Sequence, residues 1–194
     1  ALPICAAGRT FRISGGGFWQ VHRKAAEVLT TTVLGMIDKV GFDKTAPNFD
    51  LYGGVGLFSG ALAAKYGTDI NVTSVEAFKR ATEDAVLNLG DLTKGKALCA
   101  QVDRFLQDQQ RAKVKLDTAT VVLDPPRAGA GAKVIDLLTK LAPKHIVYVA
   151  CDPVALARDL KGLLAGGYEL RELRAFDLFP HTHHVEAIAS LVRK

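Results

Sequence analysis

Residues 48–56 read Asn48-Phe49-Asp50-Leu51-Tyr52-Gly53-Gly54-Val55-Gly56, a short apolar run that breaks into glycines where a helical stretch, Gly56 to Tyr66, begins. Glycines at a strand-to-helix turn let the backbone fold tightly and come close to a ligand at the helix N-terminus. The next β-branched run, Ile70 to Val75, closes in Glu76. That is about 20 residues on, where the ribose-binding carboxylate of a dinucleotide fold stands. The glycine spacing is not GxGxxG, so a nicotinamide-dependent dehydrogenase fits less well. A glycine turn with no ligand is the competing reading.

Outward from this unit the same alternation continues. A helical pattern over His22 to Val40 precedes it. Ala77 to Leu89 reads as a helix stopped by Gly90, Ala97 to Val102 as a strand, and Thr118 to Leu123 as a strand ending in Asp124-Pro125-Pro126-Arg127. Ala132 to Leu141 is helical, His145 to Ala150 a strand ending at Cys151, and Pro153 to Leu164 a helix. Tyr168 to Asp177 and His183 to Val192 look like two strands with no helix between them. Strands alternating with helices predict an α/β domain with a mostly parallel sheet, closed by a hairpin that adds one antiparallel strand. In such sheets ligands sit outside the carboxyl ends of the strands, where Asp50, Tyr52, Glu76, Asp124 and Cys151 all fall.

With 194 residues, the chain suits one domain. Apolar residues make up 48% and no run of them is long enough to span a bilayer, so no membrane partner is expected. The cysteines, Cys5, Cys99 and Cys151, are odd in number and lack CxxC spacing, which argues against a disulfide scaffold or structural zinc and for a reduced, cytoplasmic setting. A net charge of +5 permits an anionic partner without demanding one. Arg104, Arg111, Lys113 and Lys115 read as a solvated helix end and loop rather than a nucleic-acid footprint.

Three segments carry chemistry. In Asp124-Pro125-Pro126-Arg127 two prolines stiffen a loop and hold the Asp124 carboxylate in place. Cys151 lies between a strand and a helix, where the helix dipole and free amides favour a thiolate; a small buried residue is the alternative. Three of the five histidines fall within Phe176 to Glu186, at His181, His183 and His184. His183 and His184 would point to opposite faces of a strand, so no metal site is expected. Glu186 could accept a proton.

Together these segments closely resemble the bacterial RNA uracil-5-methyltransferase family, which modifies transfer and ribosomal RNA. DLYGGVG, VVLDPPR, YVACDPVALARDL and FDLFPHTHHVE occur one after another in the family's order, and the likeness runs from Phe18-Trp19-Gln20 to Val185-Glu186. The resemblance implies a Rossmann-like class I methyltransferase with a mostly parallel seven-stranded sheet and a C-terminal antiparallel hairpin. It implies that Gln20, Tyr52, Gly54, Glu76 and Asp124 hold S-adenosyl-L-methionine, with Asp103 near the adenine. Cys151 matches the nucleophile and Glu186 the proton acceptor. The implied reaction is methyl transfer to C5 of a uridine in tRNA or rRNA through a covalent adduct of Cys151 with uracil C6.

There are departures. Gly53 stands where the family usually has cysteine, Leu57 where a polar residue is frequent, His22 where asparagine is usual and His181 where glutamine is common. The family's N-terminal RNA-binding barrel and any iron–sulfur cluster motif are missing from the chain. The expectation is therefore a methyltransferase domain over 18–194, with 1–17 an extension or the remnant of a preceding domain in a longer protein. Such a domain should bind cofactor but methylate RNA poorly by itself. Competing readings are a same-fold methyltransferase acting on another base or on protein, and a non-enzymatic RNA-binding module with a relic cofactor pocket.

Overall fold

The computed structural model describes residues 3–179, 181, 182 and 185–194. It opens on a hairpin of β1 (Pro3–Ala6) and β2 (Arg9–Arg12) and continues with α1 (Ala25–Val40), β3 (Asn48–Leu51), α2 (Leu57–Tyr66), β4 (Val72–Glu76), α3 (Lys79–Asn88), β5 (Lys96–Cys99) and α4 (Val102–Arg111). Then come β6 (Thr120–Leu123), α5 (Gly131–Leu141), β7 (His145–Ala150), α6 (Pro153–Ala165), β8 (Tyr168–Phe176) and β9 (Glu186–Arg193).

Seven strands form one sheet in the order β5-β4-β3-β6-β7-β9-β8. The pairs β4–β5, β3–β4, β3–β6 and β6–β7 are parallel, and β9 runs antiparallel to both β7 and β8. The expected single antiparallel strand is thus β9. After β5 the chain crosses back to β6, so the switch point at which ligands bind lies between β3 and β6, beside Tyr52 and Asp124.

Strands β3, β6 and β7 are buried throughout because helices cover both faces, hence their near-continuous apolar sequences. Val121, Leu123, Ile146 and Tyr148 pack on one face with Phe105 and Leu106 of α4, Leu138 of α5 and Leu160 of α6. Val122, Val147 and Val149 pack on the other with Leu29, Val33 and Ile37 of α1 and Phe58 of α2. Asp152 caps α6 by accepting a bond from the Ala155 amide at 2.8 Å, and Pro153 fits its first turn.

The structure adds two elements that the sequence pattern did not indicate. Val102 is not the end of a strand but the first residue of α4, whose buried face consists of Val102, Phe105 and Leu106. Its apolar residues share one face and polar ones cover the rest, an amphipathic pattern that the strand reading of Ala97 to Val102 cut across. The hairpin of β1 and β2 is also new. Fully buried Phe11 lies over Gly60 of α2, where a β-carbon would stand 2.7 Å from the ring. Asn88 at the end of α3 pairs with both backbone groups of Arg12 and donates to Val55 O at 2.9 Å. Ser14 donates to Asp84 through its amide and its hydroxyl, both at 2.7 Å. The segment that precedes Phe18 is therefore packed on the domain.

Candidate active site

A cleft of about 660 Å³ opens at the carboxyl ends of β3, β4, β6 and β7, where antiparallel β9 begins. Gln20, Tyr52, Gly54, Glu76, Asp124, Cys151 and Glu186 all line it. Asp103 is the one predicted site residue absent from the lining; its carboxylate pairs with Lys133 Nζ at 2.6 Å and accepts the Arg104 amide. Gln101, just before α4, lines the cleft instead.

The glycine loop is shaped from below. Asp50 is fully buried and accepts bonds from the Ser59 amide at 2.9 Å and the Ser59 hydroxyl at 2.7 Å, tying β3 to the first turns of α2. Burial pushes its carboxyl up to about 6 against the pull of those donors. Asp50 is thus a support of the loop, not part of its exposed surface. Tyr52 takes a left-handed conformation (φ 59°), as do Gly54 (φ 54°) and Gly56 (φ 90°). A β-carbon on Gly54 would meet nothing within 4 Å, so the backbone is bare toward the cleft. At Gly53 the opposite holds: a β-carbon would stand 2.2 Å from Ser74 Oγ. Serine at 74 occupies the room that a side chain at 53 needs, which gives the glycine at that position a steric reason. Glu76 fixes the loop by accepting the Gly54 amide at 3.1 Å and the Phe78 amide at 2.7 Å, one on each oxygen.

The floor of the cleft is acidic. Asp124 follows β6 directly, with its amide bonded to Leu51 O at 3.2 Å. Its carboxyl is raised well above the usual range by burial, then by Glu186 and Asp50. Glu186, the first residue of β9, is 4% exposed, and burial pushes it up to about 7. Cys151 is half-buried between β7 and α6. Its thiol is raised by burial first, then by Glu186 and Asp124, with Arg127 acting the other way. The sequence pointed to a thiolate favoured by its helix terminus. Burial and two neighbouring carboxyls reverse that direction.

Other lining residues were given no role from the sequence. Phe18, Val21 and Phe78 line the cleft yet are strongly exposed, an apolar rim open to a flat ring. Arg127 is the only cationic side chain among the described lining residues. Phe78, two residues past Glu76, and Arg127, which closes the Asp-Pro-Pro-Arg run, could have been found by their position beside residues already singled out. His183 and His184 lie outside the described residues, and among the described ones no group of three or more His, Cys, Asp or Glu is arranged to hold a metal.

Known proteins resemble this chain along nearly its whole length. The family profile of tRNA (uracil-5-)-methyltransferases matches residues 4–194. An uncharacterized RNA methyltransferase of Streptomyces avermitilis is 49% identical over 187 residues, covering 96% of this chain and 41% of that protein. Another, from Bifidobacterium longum, is 41% identical over 191 residues, covering 96% of this chain and 43% of that one. Among solved structures, the tRNA (uracil-54, C5)-methyltransferase of Pyrococcus abyssi in complex with S-adenosyl-L-homocysteine superposes with a TM-score of 0.79 at 30% identity, over 98% of this chain and 44% of that one. The chain spans about two fifths of the length of the curated relatives it matches.

Proposed function

The chain belongs to the tRNA (uracil-5-)-methyltransferase family, and from that premise we propose that it transfers a methyl group from S-adenosyl-L-methionine to C5 of a uridine in tRNA or rRNA, with Cys151 as covalent nucleophile and Glu186 as proton acceptor. One observation carries this reading above the others. Cys151 and Glu186, 35 positions apart in sequence, line the same cleft, and each lies within electrostatic reach of the other.

The residues present fit S-adenosylmethionine. The bare backbone at Gly54 permits close approach, Glu76 retains acceptor capacity for ribose hydroxyls, and the exposed rings of Phe18 and Phe78 suit an adenine. Gln20, Tyr52 and Asp124 complete the set. When bound, the cofactor supplies an electrophilic methyl group on a sulfonium. Acidic residues around the cleft favour that positive charge, and the charge in turn favours ionised Cys151, Asp124 and Glu186.

Uracil C5 is too weak a nucleophile to take the methyl directly. The Cys151 thiolate adds to C6, forming an S–C6 bond and moving the C5=C6 π electrons into an enolate. C5 then bonds to the methyl carbon as the electrons of the broken sulfonium–methyl bond stay with the sulfur. Glu186 takes the C5 proton, the C5=C6 bond re-forms, and the C6–S bond breaks to return the thiolate. A uridine in folded RNA must be turned out of its stack to reach Cys151. The RNA-binding part of the reaction is expected to draw on segments of the longer protein.

The test uses RNA containing 5-fluorouridine, the full-length gene product and S-adenosylmethionine. Fluorine at C5 cannot leave as a proton, so the methylated adduct is trapped. The expected result is a denaturation-resistant protein–RNA band that vanishes in Cys151→Ala. Methylation of cellular RNA that survives Cys151→Ala would overturn the reading and favour a same-fold enzyme acting on an amino group.

A further inference from the structure

Behind the Asp124–Arg127 loop stands a second buried carboxylate that the reaction above does not use. Asp159 of α6 is 2% exposed. Its Oδ2 accepts bonds from the Tyr148 hydroxyl at 2.7 Å, the Ala130 amide at 2.8 Å and the Gly131 amide at 3.3 Å. Its Oδ1 accepts two more from Arg158, at 3.0 and 2.9 Å. Arg158 also donates to Ala128 O at 2.7 Å, and the Tyr148 oxygen accepts from the Ala130 amide at 3.0 Å. Gly129 passes close by in a left-handed conformation (φ 80°), where a β-carbon would stand 2.6 Å from both Arg158 Nη2 and Asp159 Oδ2. Residues 128–131 are therefore fastened to β7 and α6, the two elements between which Cys151 sits. Loop and nucleophile share one frame.

The upstream half of the loop is fixed by other means. Asp124 is bonded to Leu51 O, and the rings of Pro125 and Pro126 restrict the backbone at the next two positions. The brace therefore grips Ala128 to Gly131, the residues that directly follow Arg127. Arg127 is exposed, lines the cleft, lies near enough to Cys151 to favour its thiolate, and has no ion pair among the described residues. The other charged lining residues are Glu76, Asp124 and Glu186. S-adenosylmethionine carries a sulfonium and an ammonium against one carboxylate, so it matches the acids. The reactant with an uncompensated negative charge is the nucleotide, and a guanidinium is the side chain suited to its phosphate.

We propose that Asp159, with Tyr148 and Arg158, is a positioning residue that holds Arg127 at the nucleotide side of the cleft, where its guanidinium binds a phosphate of the RNA strand next to the reacting uridine. This rests on the reading that the substrate is RNA. The brace is fully hydrogen-bonded, so loss of one member is felt by the rest. Phosphate contacts of this kind set register and do not read sequence.

The test compares the full-length wild-type protein with Arg127→Ala, Arg127→Lys, Asp159→Asn and the milder Tyr148→Phe. It measures the rate of covalent trapping on 5-fluorouridine RNA, the dissociation constant for S-adenosylmethionine, and the salt dependence of RNA binding. Losing one phosphate contact should lower the slope of log affinity against log salt by about 1 in Arg127→Ala. Asp159→Asn and Tyr148→Phe should show the same flattening without touching RNA themselves, and Arg127→Lys should restore most of the slope. Trapping should slow about tenfold in Arg127→Ala and Asp159→Asn, the loss of roughly 1.4 kcal/mol, while cofactor affinity stays within about threefold. Unchanged salt slopes, or cofactor affinity that falls in step with trapping, would overturn the proposal. If the slope flattens but wild type never forms an adduct, the brace stands and the uracil chemistry is what fails.

Discussion

The carboxyls on the two sides of the loop after β6 are built in opposite ways. Asp159 is surrounded by donors: a hydroxyl, two amides and a guanidinium. Asp124 and Glu186, on the cleft side, have no side-chain hydrogen bond among the described residues, and burial raises both. A satisfied buried charge is a fixture, and its use is to hold the backbone around it. An unsatisfied one is a group whose protonation state a ligand can change, which is what a catalytic floor requires.

The largest effects that would sharpen this contrast are kinetic and lie on the cleft side. Cys151→Ala should abolish turnover altogether while leaving S-adenosylmethionine affinity within about twofold, because the thiol supplies the covalent step and not the cofactor site. Glu186→Gln should lower turnover by about 10²–10⁴, the usual yield of a positioned proton acceptor. It should do so late: methylated adduct should accumulate even on ordinary uridine RNA, since proton removal comes after methyl transfer. Glu186→Gln turnover without accumulation would assign the proton to another group.

Intermediate effects lie on the braced side. Asp159→Ala leaves the Tyr148 hydroxyl and two amides without their acceptor, and should cost about 1–3 kcal/mol of stability. Chemical denaturation of the chain checks this. A loss below about 1 kcal/mol would mean that water replaces the carboxylate, and the distinction between fixture and reactive group would blur.

How much of this was legible in the sequence depends on the range over which each signal acts. β7 was readable with its bounds, His145 to Ala150, because a strand buried on both faces is a local apolar run. The cleft residues were readable because strand ends in an α/β sheet collect at one edge. Gln101 was overlooked because the strand reading of Ala97 to Val102 ran across the start of α4, the turn that sets Gln101 at the cleft. Asp159 lay in plain view after Arg158, yet nothing in Ala-Arg-Asp-Leu says that the carboxylate turns inward to Tyr148. The protonation tendency of Cys151 was the least legible. The helix terminus beside it is a local feature, whereas burial comes from the whole fold and Glu186 and Asp124 from other strands, and together these outweigh it.

The smallest expected effect is thermodynamic, and its sign runs against intuition for a carboxylate. Glu186 and Asp50 are raised above their ordinary values, to about 7 and about 6. Such groups bind protons more readily in the folded state than in the unfolded one. Their contribution to stability is therefore fully present below about pH 4 and is lost as pH rises through 6 and 7. The cofactor-free protein should accordingly melt at lower temperature at about pH 8 than at about pH 5.5. Glu186→Gln removes one of these groups, so at pH 8 it should be more stable than wild type by on the order of 1–3 kcal/mol, about 2–10 °C in Tm. Below about pH 4, where Glu186 is protonated in the folded and the unfolded chain alike, the two proteins should melt together. S-adenosylmethionine should close the gap at pH 8, because its positive charge gives the ionised floor a partner. A wild-type Tm that rises steadily from pH 5 to 8 would mean that Asp124 and Glu186 are as well satisfied as Asp159, and the two sides of the loop would no longer differ in kind.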